Sequence, residues 1–193
     1  LGWRAVRAGL YGRAALADLD RLQAALAQPS LAALPLAQAD LASLDTHLKE
    51  AQAAAGPFLR LAPHLGWVPR FGPVIASAPQ LLDMAVTLST AGRTAVDALA
   101  PVGEMVAGGG GLDALPQAVD ALQAVQPRIE AARAGMARAA EIRASLPPLS
   151  ERRLMNQLAK LDALLPLATG GLELAALAPA LLGADGPRTY LLL

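Results

Sequence analysis

The sequence has no cysteine, and only six of its 193 residues are aromatic: two each of Trp, Tyr and Phe. It therefore cannot form a disulfide scaffold or a cysteine zinc site, and it lacks the aromatic content of a typical β-sandwich. Its 16 basic and 16 acidic side chains cancel, so the positive excess of a nucleic-acid-binding protein is absent. Apolar runs are all broken by charged residues, Gly or Pro before about 18 residues, and we expect no membrane-spanning segment within the chain.

Two apolar residue types, Ala (45) and Leu (38), dominate the sequence. Both favour helix. Because Ala is small, helices rich in it approach each other closely while each residue buries little area. The composition therefore predicts an all-α fold: an elongated antiparallel bundle of four to five long Ala/Leu-rich helices.

Proline and glycine divide the chain into segments with helical spacing. We expect helices over about 3–27, from 31 or 35 to 55, over 73–107, 113–146 and 150–169, and a shorter one that ends near 182. Gly56-Pro57 should end the second helix, Pro101 should kink or break the third, and Ser150 should cap the fifth. Four glycines, 108–111, are expected to form a linker.

Five prolines between 57 and 79 predict an elbow of short helical turns, because no continuous helix tolerates that density. Aromatic and basic residues lie among them, and they form a candidate interaction patch for a protein partner or a headgroup surface. The alternative is a small local core where the helices turn. The patch consists of Phe58, Arg60, His64, Trp67, Arg70 and Phe71.

No combination of side chains predicts catalysis or cofactor binding. His47 and Glu50 share a helix face, but a metal site needs at least a third ligand. We interpret three carboxylate pairs as exposed helix positions: Asp18 with Asp20, Asp40 with Asp45, and Asp83 with Asp97. Asp45 and Lys49 are spaced for an i,i+4 ion pair. We therefore expect no catalytic residue, no metal and no cofactor.

The last thirteen residues, Leu-Leu-Gly-Ala-Asp-Gly-Pro-Arg-Thr-Tyr-Leu-Leu-Leu from Leu181 to Leu193, carry a resemblance to a known family. They resemble the junction in bacterial envelope proteins of the family catalogued as domain of unknown function 4012, where an apolar helix ends in a turn and a strand opens an α/β domain. The proline-rich segment 63–79 is similar to the elbow of that family's helical region.

The resemblance implies a membrane anchor before residue 1, a helical region over 1–182, and a turn and strand start over 183–193 that lead into an α/β domain. Trp3, Arg4 and Tyr11 resemble the flank of a membrane segment. The family's motif would follow Leu193, so no site residue is carried over. The implied partners are that α/β domain, other envelope proteins and the membrane.

These observations lead to one hypothesis and two alternatives. We expect a non-catalytic, extracytoplasmic helical stalk or assembly module of a membrane-anchored bacterial envelope protein, linked to surface polysaccharide or cell-wall assembly. The first alternative is the regulatory half of a glycan-transferring enzyme whose active site lies beyond residue 193. The second is a helical subunit of a larger membrane-associated complex, which would leave apolar helix faces exposed and form an oligomer.

Overall fold

The structure, a computed structural model, describes residues 10–11, 13–15, 17–18, 20–21, 34–67, 72–108, 115–149 and 151–181. Within these ranges there is no β-strand, and the predicted all-α bundle is confirmed. The described residues from 10 to 21 are helical. The long helices that follow are α1 (Leu34–Leu59), α2 (Gly72–Ala107), α3 (Leu115–Ser145) and α4 (Arg152–Leu181).

Each helix packs against the next one along the chain, so α2 lies between α1 and α3, and α4 lies on α3. Two ion pairs show the direction of α3 and α4. Arg143 bonds Asp162 at 2.8 Å, and Arg133 lies 3.7 Å from Glu173. From the first pair to the second, the position moves ten residues towards the start of α3 but eleven residues towards the end of α4. The two helices are therefore antiparallel.

The closest packing is between α2 and α3, where both helices present small residues. Ala91, Ala95 and Ala98 of α2 share one buried cluster with Ile129, Ala132 and Met136 of α3. At Gly135 a Cβ atom would lie only 2.7 Å from the Cβ of Ala91. The backbones therefore approach as closely as a glycine allows.

Larger side chains complete the core from the two outer helices. On α4, three leucines seven residues apart face inward: Leu158, Leu165 and Leu172. At the other side of the bundle, Ala15 and Leu44 form a small cluster between the N-terminal helical residues and α1. The core is consequently a narrow strip along the bundle.

Two predicted helix ends are wrong, since α1 continues through Gly56-Pro57 to Leu59 and α4 continues through Gly170-Gly171. At Pro101, where we expected a kink or a break, α2 is not broken and continues to Ala107. A proline removes one backbone hydrogen bond, and a glycine costs about 1 kcal/mol. Tertiary packing of the residues on both sides of such a position outweighs these local costs. In α4, Leu165 and Leu172 provide this packing on either side of the glycine pair.

The predicted elbow is shorter than 57–79. A 3-10 helix, Ala62–Leu65, joins α1 to α2, and its Ala62 is buried. α2 already begins at Gly72, one residue before the predicted start, and includes Pro73 and Pro79. A Cβ at Gly72 would collide with the carbonyl oxygen of Gly66, so the close turn requires glycine there.

The remaining predictions about loops concern the ends of α2 and α4. Gly108 is an exposed turn after α2, whereas 109–111 and the predicted strand start 183–193 lie outside the described residues. The predicted cap Ser150 also lies outside them. At the start of α4 the carboxylate of Glu151 accepts a hydrogen bond from the Leu154 N–H at 3.2 Å.

Two described helices have the length and apolar composition of a membrane-spanning helix, Gly72–Met105 and Leu154–Leu181. We did not expect these two candidates from the sequence, because charged residues, Gly or Pro interrupt their apolar runs. α2 lies between two other helices, but only 22% of its apolar stretch and 17% of that of α4 is buried inside the bundle. Two such helices are weak evidence for a membrane, because length and composition alone define them.

We predict that Gly135→Ala lowers the free energy of unfolding by about 1–2 kcal/mol, because the new methyl group overlaps Ala91 and overpacking outweighs the better helix propensity. Urea unfolding followed by circular dichroism measures the change. Gly171→Ala is the matched control: a Cβ there meets no atom within 4 Å, so this variant should be stabilised by up to about 1 kcal/mol. A stabilised Gly135→Ala would contradict the close approach of α2 and α3.

Candidate functional site

The candidate interaction patch lies at the end of the bundle where α1 turns into α2. Trp67 is 78% exposed and Phe58 38%, and Arg60 and His64 are exposed as well. Arg70 and Phe71 lie outside the described residues. The four described members thus share one end of the molecule.

A more organised group of polar side chains, the Asp18 cluster, lies between the N-terminal helical residues and α1. The Asp18 carboxylate is completely buried. One of its oxygens pairs with Arg21. The other accepts hydrogen bonds from His47 Nδ1 at 2.7 Å and from Ser43 Oγ at 3.2 Å. The ring of Tyr11 stacks on that of His47 with centroids 6.4 Å apart.

Serine, histidine and aspartate together raise the question of a catalytic triad. In a triad the carboxylate binds one ring nitrogen of the histidine, and the nucleophile binds the other. Here Ser43 lies 3.5 Å from Nδ1, the same nitrogen that binds Asp18, and donates its own proton to that carboxylate. The imidazole cannot remove a proton from Ser43 in this geometry, so the cluster ties helices together.

The second polar group, the Asp45 cluster, joins α1 to α2. Asp45 is 2% exposed. One carboxylate oxygen accepts from Thr90 Oγ1 at 2.7 Å and Ser89 Oγ at 3.3 Å, and the other from Lys49 Nζ at 2.7 Å. The predicted Asp45–Lys49 pair is therefore confirmed. Arg93 adds a contact at 3.4 Å.

A second polar contact between α1 and α2 lies seven residues away along each helix. Gln38 donates to Asp97 at 3.1 Å. Asp45 follows Gln38 by seven residues, and Thr90 precedes Asp97 by seven. Two polar layers two helical turns apart therefore specify one antiparallel register for α1 and α2.

The environment of Asp45 favours its charged form. Burial raises the pKa of this carboxyl, but hydrogen bonds from Lys49 and Thr90, the charge of Lys49 and the hydrogen bond from Ser89 together outweigh burial and hold the pKa below its ordinary value. The neighbouring cations and hydroxyl groups satisfy the carboxylate fully. Such an environment stabilises structure and leaves no lone pair directed at a substrate.

Two of the carboxylates interpreted from sequence as exposed are thus buried, Asp18 and Asp45, and that interpretation is wrong for both. Asp83 and Asp97 do lie partly exposed, 46% and 43% by side chain. A signal for Asp45 was present in the sequence, since it lies directly after Leu44 on the stripe that also holds Leu41 and Leu48. Asp18 offered no such signal, because its partners on α1, Ser43 and His47, are 25 and 29 residues away.

In the described part of the chain no group of three or more His, Asp or Glu side chains is placed to hold a metal ion. Glu50, which shares a helix face with His47, is exposed. A shallow groove between α3 and α4 is lined by Glu130, Arg133, Ala134, Ala137, Thr169 and Glu173.

Comparison with protein-family models, with curated protein sequences and with solved structures gave no match for this chain.

We predict that Asp45→Asn lowers the free energy of unfolding at pH 7 by about 1–3 kcal/mol, because charge-assisted hydrogen bonds are lost while Lys49 and Arg93 can return to water. Denaturant titration measures this loss. The matched control is Asp83→Asn, whose carboxylate is 46% exposed and lies 3.8 Å from Arg138. That change should cost less than about 0.5 kcal/mol, and equal effects of the two substitutions would contradict the role of the Asp45 cluster.

The lowered pKa of Asp45 also predicts a pH dependence. A carboxyl whose pKa is lower in the folded than in the unfolded chain contributes stability above its unfolded pKa, near 4, and loses it as the pH falls through the folded value. The stability difference between the parent chain and Asp45→Asn should therefore be full at pH 7 and shrink below about pH 4. If the stability difference grew on acidification, folding would raise the pKa of Asp45, which would contradict this prediction.

Proposed function

We propose that this chain is a non-catalytic helical stalk or assembly module of a membrane-anchored bacterial envelope protein, linked to surface polysaccharide or cell-wall assembly. Its mechanism is mechanical: it holds one part of the protein at a fixed distance from another. The observation that carries the proposal is how little of the long helices is buried. In the most apolar stretches of α2 and α4, only 22% and 17% is buried inside the bundle, much less than in the core helices of a compact domain.

Helix length supports the same function. The four long helices contain 26, 36, 31 and 30 residues, which at about 1.5 Å per residue gives lengths of about 39–54 Å. The Asp18 and Asp45 clusters link the helical layers by buried charge-assisted hydrogen bonds. Such links resist sliding of one helix along another, as a spacer requires.

The extracytoplasmic and membrane-anchored setting is supported by the resemblance of residues 181–193 to the envelope-protein junction. It implies a location for this chain between an anchor and an α/β domain. The second alternative, a subunit of a helical complex, is favoured by a separate observation, the exposed leucines of α4.

We predict that small-angle X-ray scattering of the chain at its lowest measurable concentration gives an elongated particle. The radius of gyration should clearly exceed the roughly 16 Å of a compact domain of this length, with an asymmetric distance distribution that extends beyond about 54 Å. A symmetric distribution with a radius near 16 Å would contradict the stalk.

The proposed location can be tested in cells because the chain has no cysteine. Gln123 lies on an exposed position of α3, and we predict that Gln123→Cys in the full-length protein reacts with a membrane-impermeant maleimide in intact spheroplasts. A cytoplasmic cysteine-bearing protein serves as the control that must remain unlabelled. Labelling of Gln123→Cys only after lysis would refute the extracytoplasmic location.

A further inference from the structure

The helix α4 has a second apolar face, opposite the one that packs on α3. Leu167 is 73% exposed, Leu174 66%, Leu177 56% and Leu181 49%. From 163 to 181 the only charged residue is Glu173. A leucine face of this length without charge is unusual at a protein surface and marks an interaction site.

The spacing of this face, which we call the leucine face, is that of a coiled coil. Its members alternate by four and three residues, a period of 3.5. They are Ala163, Leu167, Gly170, Leu174, Leu177 and Leu181. Gly170 leaves an open notch in the middle, since a Cβ there would meet no atom within 4 Å.

We propose that the leucine face binds the same face of a second copy of this chain, in antiparallel orientation, with the two-fold axis near Leu172. Reversing the sequence about that residue sets Leu167 against Leu177, Leu174 against Gly170, and Leu181 against Ala163. Two of these three layers pair a leucine with a small residue. A face that matches itself in this way satisfies the requirement of a two-fold interface, in which the same patch serves both partners.

Charges at the rim complement each other in the same arrangement. Glu173 lies at the edge of the leucine face, one residue from the proposed axis, and is 3.7 Å from Arg133 of α3; the two side chains are 59% and 43% exposed. Two copies bring two carboxylates and two guanidinium groups together at the axis. Each Arg133 then has the Glu173 of the other copy as a second partner, which offsets the repulsion between the two carboxylates.

The area of the leucine face determines how strong the dimer is. The face is about 27 Å long and, at a helix diameter of about 10 Å, two copies bury on the order of 1,000 Å² in total. That area is at the lower limit for a specific interface. The structure therefore predicts a reversible dimer that dissociates on dilution.

A lipid surface is the other partner that an apolar helix face could take. A helix that lies on a membrane gains affinity from apolar area and from basic residues along its polar edge. On α4 the centre of the face is a glycine, which reduces apolar area, and the edge residue near it is Glu173. Both features fit a second helix better than lipid.

Sedimentation velocity over a concentration series tests the proposal on the 193-residue chain. The parent chain should shift from monomer to dimer with rising concentration, and Leu174→Glu should raise the dissociation constant at least tenfold. Leu36→Glu is the matched control, because Leu36 is exposed to 68% on α1, and it should leave the dissociation constant unchanged. A parent chain that stays monomeric at every concentration, or equal effects of both variants, would overturn the proposal.

Gly170→Leu separates the two partners of the leucine face. The notch has room for the side chain in the monomer, so the fold, checked by circular dichroism, is retained, whereas Leu174 of the other copy loses its place. Dimerisation should weaken at least tenfold. If Gly170→Leu dimerises like the parent chain, or if sedimentation with phosphatidylglycerol vesicles shows that the parent binds lipid and the variant binds more, the proposal fails.

Orientation is tested by disulfide cross-linking, which the absence of native cysteine makes specific. In the antiparallel dimer the double variant Leu167→Cys/Leu177→Cys cross-links on mild oxidation. Single Leu167→Cys does not, because its two copies lie about 15 Å apart along the axis. Efficient cross-linking of the single variant would show a parallel pair and refute the proposed arrangement. These outcomes are independent of the stalk proposal, which depends on the shape of the monomer.

Discussion

The contact of α2 with α3 at Ala91 and Gly135 is the constraint on which the rest of the structure depends. No side chain larger than a methyl group separates the two backbones there, so the central helices lie at nearly the shortest distance that packing permits. Close helices of this kind bury little area per residue. The result is a thin bundle with a narrow core, and its stability depends on the length over which the helices remain in contact.

A smooth alanine face also has little power to select one register, since small side chains leave shallow grooves. At the neighbouring interface, between α1 and α2, polar contacts select the register. Asp45 meets Thr90, and Gln38 meets Asp97, at the same seven-residue interval in opposite directions along α1 and α2. A slip of one turn would bury the Asp45 carboxylate without these donors, at a cost of several kcal/mol. Buried charges thus specify the register of the helices, and burial of apolar surface holds the helices together.

The all-α class and the existence of the long helices could be predicted from composition and periodicity, and the start of α2 was predicted within one residue. The helix ends predicted at Gly56-Pro57 and Gly170-Gly171 were wrong because local propensity was weighed without the tertiary packing that holds both sides of each position. The burial of Asp18 could not be predicted, since a carboxylate on an amphipathic helix is exposed or buried according to partners far along the chain. The two faces of α4 illustrate the same limit: a leucine-rich helix does not show which of its stripes lies inward.

This narrow molecule has two kinds of apolar surface. One is used within the chain, between α2, α3 and the inward leucines of α4. The other, the leucine face of α4, extends beside the groove that holds Arg133 and Glu173. A stalk that is itself only a few helices thick gains stiffness when two copies pair along their length, so the proposed spacer function and the proposed dimer are mechanically compatible.

The central claim is that the long helices run unbroken beside one another and so provide reach. The most direct test is the distance between spin labels at Gln117→Cys and Ala144→Cys, two exposed positions near the ends of α3, measured by double electron–electron resonance. A single continuous helix across Pro127 predicts one narrow distribution near 40 Å, from 27 residues at about 1.5 Å each. A broad distribution, or one centred well below that distance, would contradict the account.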